Sequence, residues 1–307
     1  MRTFFLASLL SLLTASAASA DDWAPTSLSA TWENDLFGGS DRHYTNGAEL
    51  ALTGRVPKGA LSFFLGEDGG EWRLSLAQSI YTPERLDARN LVLDDRPYAG
   101  WLRLGLSLSH RSTRWPIASR VGLELGVLGP PSGAEAAQRL FHGSLTGSSP
   151  PQGWGHQIPT EVGLRFHYEL SYRAWREVIL GADWELEPRF ACSFGNVTID
   201  ASLGARLRVG RLPDAFATAE PPRWSAFVTL GGRVRFVGHD VFLNGSLLRP
   251  GGHRVRRRHL VVDLEAGFTI EVLGALALTY SHTLRAPEFV GQDGWDQFGS
   301  LSLTWSW

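Results

Sequence analysis

The stretch LVVDLEAGFTI, Leu260–Ile270, alternates apolar side chains with polar or small ones. Leu264 and Phe268 fall in one phase of the alternation, and Asp263 and Glu265 fall in the other. Because successive side chains of a β-strand point to opposite faces, this pattern predicts a strand with one apolar and one polar face. The same alternation runs through residues 102–109, 121–127 and 300–307.

A soluble β-sandwich would show the same alternation, so other features must separate it from a membrane barrel. The segments run for about ten residues or more, which is the length that a tilted membrane strand requires. The polar phase carries ionised residues, which suits a hydrogen-bonded lumen: Arg103, Glu124, Asp263 and Glu265. Aromatic residues stand at segment ends, as they do at membrane interfaces, and include Trp101, Trp224, Trp305 and Trp307. These features predict an all-β fold, a single antiparallel transmembrane barrel.

The alternating segments number about twelve, an even count that is usual for bacterial barrels. They lie near 28–37, 43–53, 70–81, 97–110, 117–128, 158–172, 180–193, 197–210, 223–237, 257–270, 274–286 and 297–306. An even count puts both termini in the periplasm, so the loop after the first strand faces the cell exterior. The loops near 82–96, 129–157 and 238–256 are expected on the same side.

The N-terminus and the composition place the chain in the bacterial envelope. The opening MRTFFLASLLSLLTASAASA combines basic Arg2, an apolar run and a small-residue ending at Ala20, which predicts a signal peptide over residues 1–20. An anchored membrane helix is the weaker interpretation, because the apolar run is short and ends in Ala and Ser. The 29 basic and 31 acidic residues nearly balance, which gives no indication of nucleic-acid binding. Cys192 is the only cysteine, which excludes internal disulfides and cysteine-based metal clusters.

The stretch WENDLFGGSDRHYTNGAEL, Trp32 to Leu50, concentrates chemically useful side chains where two predicted strands meet. Asp35 could orient a base or hold a hard cation through its oxygens, while Asn34 and Thr45 could donate to an oxyanion. The competing interpretation is turn chemistry, because Asn and Asp favour tight turns. Neighbours on a regular strand point to opposite faces, so we predict a break in the pairing at Asn34–Asp35.

The third loop is predicted to contain a helix and a candidate base. Residues 134–141 are good helix formers between Gly133 and Gly143, and they predict a short helix that ends at His142. Gln138 lies one turn earlier on the same face and could hold the His142 ring. Histidine is the usual general base near neutral pH, although a histidine in a loop is more often structural or solvated. No Ser stands in a G-x-S-x-G context, so water activated by His142 is the simpler mechanism. Two other polar stretches of the predicted outer rim are residues 78–101 and the arginine-rich residues 239–258.

With these residues identified, the chain resembles the LpxR-type outer-membrane lipid A 3′-O-deacylases over essentially its whole mature length. The resemblance rests on ND in the first strand, DRxYTxG, QxIYxP, DRPYAGW, GPxxG followed by Gln and His, and an aromatic C-terminus. It implies a twelve-stranded barrel that removes the 3′-linked acyloxyacyl chain of lipopolysaccharide with a divalent cation, usually Ca²⁺. It also implies His142 as the base, Asn34, Asp35 and Thr45 around the cation and oxyanion, and Arg89 on the sugar-acid core.

Two departures from the family pattern concern the lipid and the cation. Ala88 stands where the family has a lysine, and residues 147–149 lack the acid expected about six positions after the catalytic histidine, Glu161 being the nearest acid. Two alternatives remain open: a surface phospholipase with the same site, and a catalytically silent barrel that acts as a channel or structural protein. The expected partners are lipopolysaccharide and the outer membrane, with the protein acting as a monomer.

Overall fold

The chain folds into one closed antiparallel β-barrel. The computed structural model describes residues 23–39, 42–61, 65, 68–112, 114–142, 150–214, 216, 222–249 and 251–307. The predicted signal peptide and residues 147–149 lie outside these ranges. The strands are β1 (Pro25–Asn34), β2 (His43–Val56), β3 (Gly70–Thr82), β4 (Ala99–Arg111), β5 (Ile117–Leu128), β6 (Glu161–Tyr172), β7 (Trp175–Ile179), β8 (Ala182–Gly195), β9 (Thr198–Arg211), β10 (Trp224–Asp240), β11 (Leu260–Val272), β12 (Leu276–Arg285) and β13 (Asp296–Ser306).

The barrel has twelve strands because β6 and β7 are two halves of one interrupted strand. Both halves pair with β8, and only Arg173 and Ala174 separate them. The pairing of β6 with β8 joins the two ends of the sheet, while β1 pairs with β13. The prediction of twelve strands is therefore confirmed. The sixth strand, predicted to end at residue 172, instead continues through β7 to a turn at Leu180 and Gly181.

The barrel interior contains arginine–carboxylate networks, as the ionised phase of the strands predicts. Glu124 accepts hydrogen bonds from Arg103 and Arg165, and both guanidinium groups lie over the ring of Trp101. Trp101 is buried inside the barrel, so its assignment to a membrane interface was wrong; it shares the inward phase of Arg103. On β11, Asp263 is likewise inside and binds several arginines. A cavity of ≈ 620 Å³ remains inside the barrel, and one of ≈ 930 Å³ lies at the end that carries the short connections.

One end of the barrel carries the longer connections, which we call the loop end, and the other is the turn end. At the loop end lie α1 (Ala134–Phe141), α2 (Val241–Asn244) and short 3₁₀ helices at Asp35–Gly38, Pro130–Ser132 and Trp154–His156. None of the helices in the described ranges is long and apolar enough to span a bilayer. Because outer-membrane barrels have short periplasmic turns and longer external loops, the loop end is expected to face the exterior.

This orientation can be tested with two epitope tags. A tag inserted after Leu248, which is exposed in the loop between β10 and β11, should be reached by antibody on intact cells. A tag after Gly274, in the turn between β11 and β12, should be reached only after the outer membrane is permeabilised. Surface labelling of the Gly274 tag on intact cells would reverse the orientation.

Candidate active site

Strand β1 ends at Asn34, and the chain turns directly into the 3₁₀ helix Asp35–Gly38. The Asn34 side chain caps this helix by accepting a hydrogen bond from the Leu36 amide, at 2.8 Å. Asp35 is buried, and its Oδ2 accepts a hydrogen bond from the Arg42 amide at 2.5 Å. The strand predicted over residues 28–37 therefore stops three residues early, and the predicted break at Asn34–Asp35 is present. Asn34 and Asp35 therefore form a turn, as the competing interpretation expected, and this turn also keeps the two candidate site residues together.

Thr45 lies opposite the end of β1 because β2 bulges at this point. Asn34 pairs with Asn46 across the two strands, and the register between β2 and β3 shifts between Tyr44 and Asn46. Thr45 is the extra residue at this shift; its buried hydroxyl is 2.7 Å from the Thr82 hydroxyl. A bulge re-aims the side chain that it carries, and bulges are frequent at barrel rims. The structure thus brings Asn34, Asp35 and Thr45 to one corner of the rim.

Helix α1 begins against the outer wall over β3 and β4. Gln78 of β3 donates to the Ser132 carbonyl at 2.7 Å. A Cβ at Gly100 of β4 would lie 2.1 Å from the Ser132 hydroxyl and 2.3 Å from the Ala134 Cβ. Only a residue without a side chain lets the loop approach the wall this closely. Gly100, the glycine of the DRPYAGW motif, therefore allows the start of α1 to pack closely against the barrel wall.

The other end of α1 reaches β1. The Phe141 ring lies 5.9 Å from the Trp32 ring, and Trp32 stands two residues before Asn34. His142, the next residue, caps the helix and is 4% exposed. Gln138 accepts a hydrogen bond from the Trp154 indole at 2.9 Å. This bond ties α1 to the 3₁₀ helix Trp154–His156, whereas the sequence suggested that Gln138 orients the His142 ring. The predicted helix and its end at His142 are confirmed.

Arg89 lies in the loop between β3 and β4, exposed beside the α1 loop. The two loops contact each other: the Gln152 amide donates to the Leu86 carbonyl, and a Cβ at Gly153 would lie 3.0 Å from the Ala88 carbonyl. Buried Trp154 packs in the same cluster as Leu86. Arg89 therefore stands at the outer surface on the helix side of the rim, and Ala88 faces this loop contact.

His43, at the start of β2, is buried and links residues of two other connections of the loop end. Its Nδ1 lies 2.7 Å from an Asp296 oxygen, and its Nε2 lies 3.4 Å from Asp95. The ring packs edge-on against Phe289 at 5.4 Å. Burial tends to raise the pKa of Asp95, but hydrogen bonds from His43 and from the Glu84 and Arg96 amides hold that pKa below its ordinary value. Asp41 of the same motif lies outside the described residues.

The residues at the end of β1 could bind a cation through oxygen atoms, but few of them are acids. In the described part of the chain, no three His, Cys, Asp or Glu side chains form a group that could hold a metal ion. Asp35 is the carboxylate of the corner, and the Asn34 oxygen is already bonded to the Leu36 amide. Glu161, the nearest acid after His142, is buried and accepts from Asn196 at 2.7 Å. Any cation at this corner would thus depend chiefly on Asp35.

A closed barrel of twelve strands, with a loop helix seated on its outer wall, defines the class of outer-membrane β-barrel proteins. A sequence profile described as "Outer membrane protein LpxR" matches residues 4–307, so the chain belongs to the LpxR family. Its fold is similar to that of LpxR from Salmonella typhimurium, with 22% identity, a TM-score of 0.76, and coverage of 92% of this chain and 100% of that one.

More distant barrels also match. The β domain of the Bordetella autotransporter BrkA has 13% identity and a TM-score of 0.44, with coverage of 92% of this chain and 100% of that one. The KdgM porin has 7% identity and a TM-score of 0.42, with coverage of 92% and 99%. A comparison with curated protein sequences finds no match.

Several residues that shape the corner were not recognised from the sequence. Thr82 positions the Thr45 hydroxyl, the Arg42 amide fixes Asp35, and Trp154 fixes α1 through Gln138. Thr82 and Arg42 lie within the quoted motifs, but nothing in a motif tells which residue pairs with which. Such pairings depend on the register at the bulge.

Proposed function

We propose that this protein is a lipid A 3′-O-deacylase that hydrolyses the ester of the 3′-acyloxyacyl chain at the outer leaflet. The proposal is supported chiefly by the contact of Phe141 with Trp32, which brings the end of α1, where His142 is buried, towards the end of β1, where Asn34 and Asp35 lie. A base and polar groups then meet on the outer wall, where a lipid ester is accessible without leaving the membrane. Membership of the LpxR family supports this substrate class.

In the proposed reaction, neutral His142 removes a proton from water, and the resulting hydroxide adds to the ester carbonyl. General-base assistance of this kind typically supplies about 10²–10⁴-fold in rate. Thr45 donates its hydroxyl to the oxyanion that forms, and the Asn34 amide NH₂ is available for the same purpose because its oxygen is used in the helix cap. As the intermediate collapses and the bond between the acyl carbon and the sugar oxygen breaks, the protonated His142 gives its proton to that oxygen, which leaves as the 3′-hydroxyl. The products are the free acyloxyacyl acid and the 3′-deacylated lipid.

We further propose that Asp35 holds the divalent cation implied by the family, with Ca²⁺ as the candidate. The carboxylate is a hard oxygen ligand of the kind that Ca²⁺ prefers. A cation there would neutralise charge that develops on the ester oxygen. Because Ca²⁺ takes six to eight oxygens, substrate and water must supply most of them, and the affinity should be modest.

Arg89 is proposed to contact the sugar-acid core of the substrate. It is exposed on the helix side of the rim, and a guanidinium can bind a carboxylate through two parallel hydrogen bonds. The adjacent Ala88 supplies no second cation. We therefore expect tolerance of substrates that differ in their core sugars.

The decisive experiment is mass spectrometry of lipid A and phospholipids from cells with and without the protein. The proposal expects lipid A that has lost its 3′-acyloxyacyl group, with unchanged phospholipids. Lysophospholipids with intact lipid A would identify a phospholipase instead. Two unchanged lipid pools, in cells that hold folded protein at the surface, would favour a barrel without hydrolytic activity.

The close packing of α1 against Gly100 provides a separate prediction. Gly100→Ala should lower hydrolysis by about 10²-fold, since the added Cβ pushes Ser132 and Ala134 away and small displacements of a catalytic group have effects of this size. Gly232→Ala is the matched control, because its new Cβ would be 3.4 Å from Leu264, an ordinary contact. Both should remain heat-modifiable barrels in gel electrophoresis. Equal activities of the two variants would show that α1 does not position the base.

A further inference from the structure

The segment Arg254–Arg258, which we call the arginine strip, displays alternate side chains to the outside. Val255 is buried against Leu243 and Phe289, and Arg257 is half-buried with its Nε donating to the Val237 carbonyl. Arg254, Arg256 and Arg258 are exposed. This alternation is that of an extended chain with one face on the protein and one face outward.

The backbone of the arginine strip is held on both sides. The Val255 amide donates to the Leu243 carbonyl at 2.8 Å, and the Arg258 amide donates to the Glu288 carbonyl at 2.7 Å. The Val290 amide donates back to the Arg256 carbonyl at 2.8 Å. The backbone that carries the exposed arginines is therefore held in place before any ligand arrives, which lowers the entropic cost of binding.

The exposed arginines of the strip have no carboxylate partner among the described residues. Several other arginines at the loop end are paired with acids: Arg42 with Glu84, Arg85 with Asp94 and Arg96 with Glu288. Glu288 is the acid nearest to the strip along the loop after β12, and it already binds Arg96 and Arg235. Burial tends to raise the pKa of Glu288, but the surrounding arginines hold that pKa far below its ordinary value. The strip thus presents an uncompensated positive charge.

The height of the strip on the barrel indicates its ligand. Strand β11 begins at Leu260, which is exposed on the lipid side together with Leu264 and Phe268. Arg258 precedes Leu260 by two residues, so it lies within about 7 Å of the start of the apolar face at ~3.4 Å per residue. Arg256 and Arg254 come before it in the loop. Guanidinium groups just beyond the apolar band lie at the level of lipid headgroups, and arginine binds phosphate through paired hydrogen bonds.

We propose that the arginine strip is a binding site for the phosphate groups of a glycolipid headgroup in the outer leaflet. In the ring of strands, β11 is separated from β1 by β12 and β13, about 14 Å around the wall at ~4.8 Å per strand. The strip therefore anchors lipid on the side of the β1 corner opposite to α1 and Arg89. The proposal concerns binding and does not depend on hydrolysis.

The test measures lipid binding to protein carrying His142→Asn, so that lipid A stays intact in the experiment. Purified full-length protein in neutral detergent is titrated with bisphosphorylated lipid A, and bound lipid is counted by native mass spectrometry. The triple variant Arg254→Gln, Arg256→Gln, Arg258→Gln should lower the apparent affinity at least tenfold. Fully dephosphorylated lipid A should bind equally weakly to both proteins, and high salt should reduce the difference, because exposed charges are screened.

A matched triple variant removes the same charge at the turn end: Arg55→Gln, Arg114→Gln and Arg120→Gln. It should bind bisphosphorylated lipid A as the parent does. An equal loss in this control, or unchanged binding in the strip variant, would overturn the proposal. So would dephosphorylated lipid A that binds as tightly as the bisphosphorylated form, or inorganic phosphate that binds the strip while the lipid does not. Hydrolysis is measured separately with the strip variant that retains His142. This assay distinguishes a failure of the proposed lipid binding from a failure of the proposed deacylase activity.

Discussion

Replacement of His142 by Asn should abolish nearly all hydrolysis, by about 10²–10⁴-fold, while the barrel remains folded. Asn fills similar space at the end of α1 but cannot accept a proton from water. The measurement is release of the 3′-acyl group from purified lipopolysaccharide, with heat-modifiable migration as the assay for folding.

His156→Asn is the matched control for this experiment. His156 lies in the same long loop, in the 3₁₀ helix Trp154–His156, but it is exposed whereas His142 is buried. Its replacement should leave the rate within about twofold of the parent rate, as expected for a solvated side chain away from the chemistry. Retention of activity by His142→Asn would mean that His142 only ends the helix.

The barrel could be predicted from the sequence because lipid and a polar lumen impose opposite demands on alternate residues. The facing of individual residues near strand ends, and the exact length of each strand, were predicted less well. Trp101 resembles an interfacial aromatic in sequence, yet it takes the inward phase and lies under Arg103 and Arg165. The interruption at Arg173–Ala174 escaped notice because two residues between strand halves look like an ordinary turn.

The candidate corner was predictable in outline for a local reason. Asn34 and Asp35 are adjacent, so a strand that uses both must end or bend there, and the structure ends it with a cap made by Asn34 itself. The role of His43 could not be inferred in this way. Its partner Asp296 is 253 residues away in sequence, and only the closure of β1 on β13 brings them together. Local motifs cannot specify contacts that the register of a closed sheet creates.

Replacement of Asp35 should also remove most activity, by about 10²-fold or more, since loss of one preorganised polar group at a developing charge commonly has effects of this size. Asp35 is 1% exposed and accepts a hydrogen bond from the Arg42 amide, so Asp35→Ala also removes a partly buried hydrogen bond and should loosen the 3₁₀ helix that Asp35 begins. The loss is local, because the pairing of β1 and β13 is unaffected.

Asp35→Asn separates charge from hydrogen bonding, because the amide oxygen can still accept from the Arg42 backbone. If the negative charge holds a cation, Asp35→Asn should be as inactive as Asp35→Ala at low Ca²⁺ and should regain part of its rate only at much higher Ca²⁺. Asp94→Ala removes an exposed acid paired with Arg85 at the same end of the barrel, and its Ca²⁺ dependence should match that of the parent. Full activity of Asp35→Asn, with the parent's Ca²⁺ dependence, would reduce Asp35 to a residue that shapes the turn. In that case the cation, if one is required, must be held by other oxygens of the loop end.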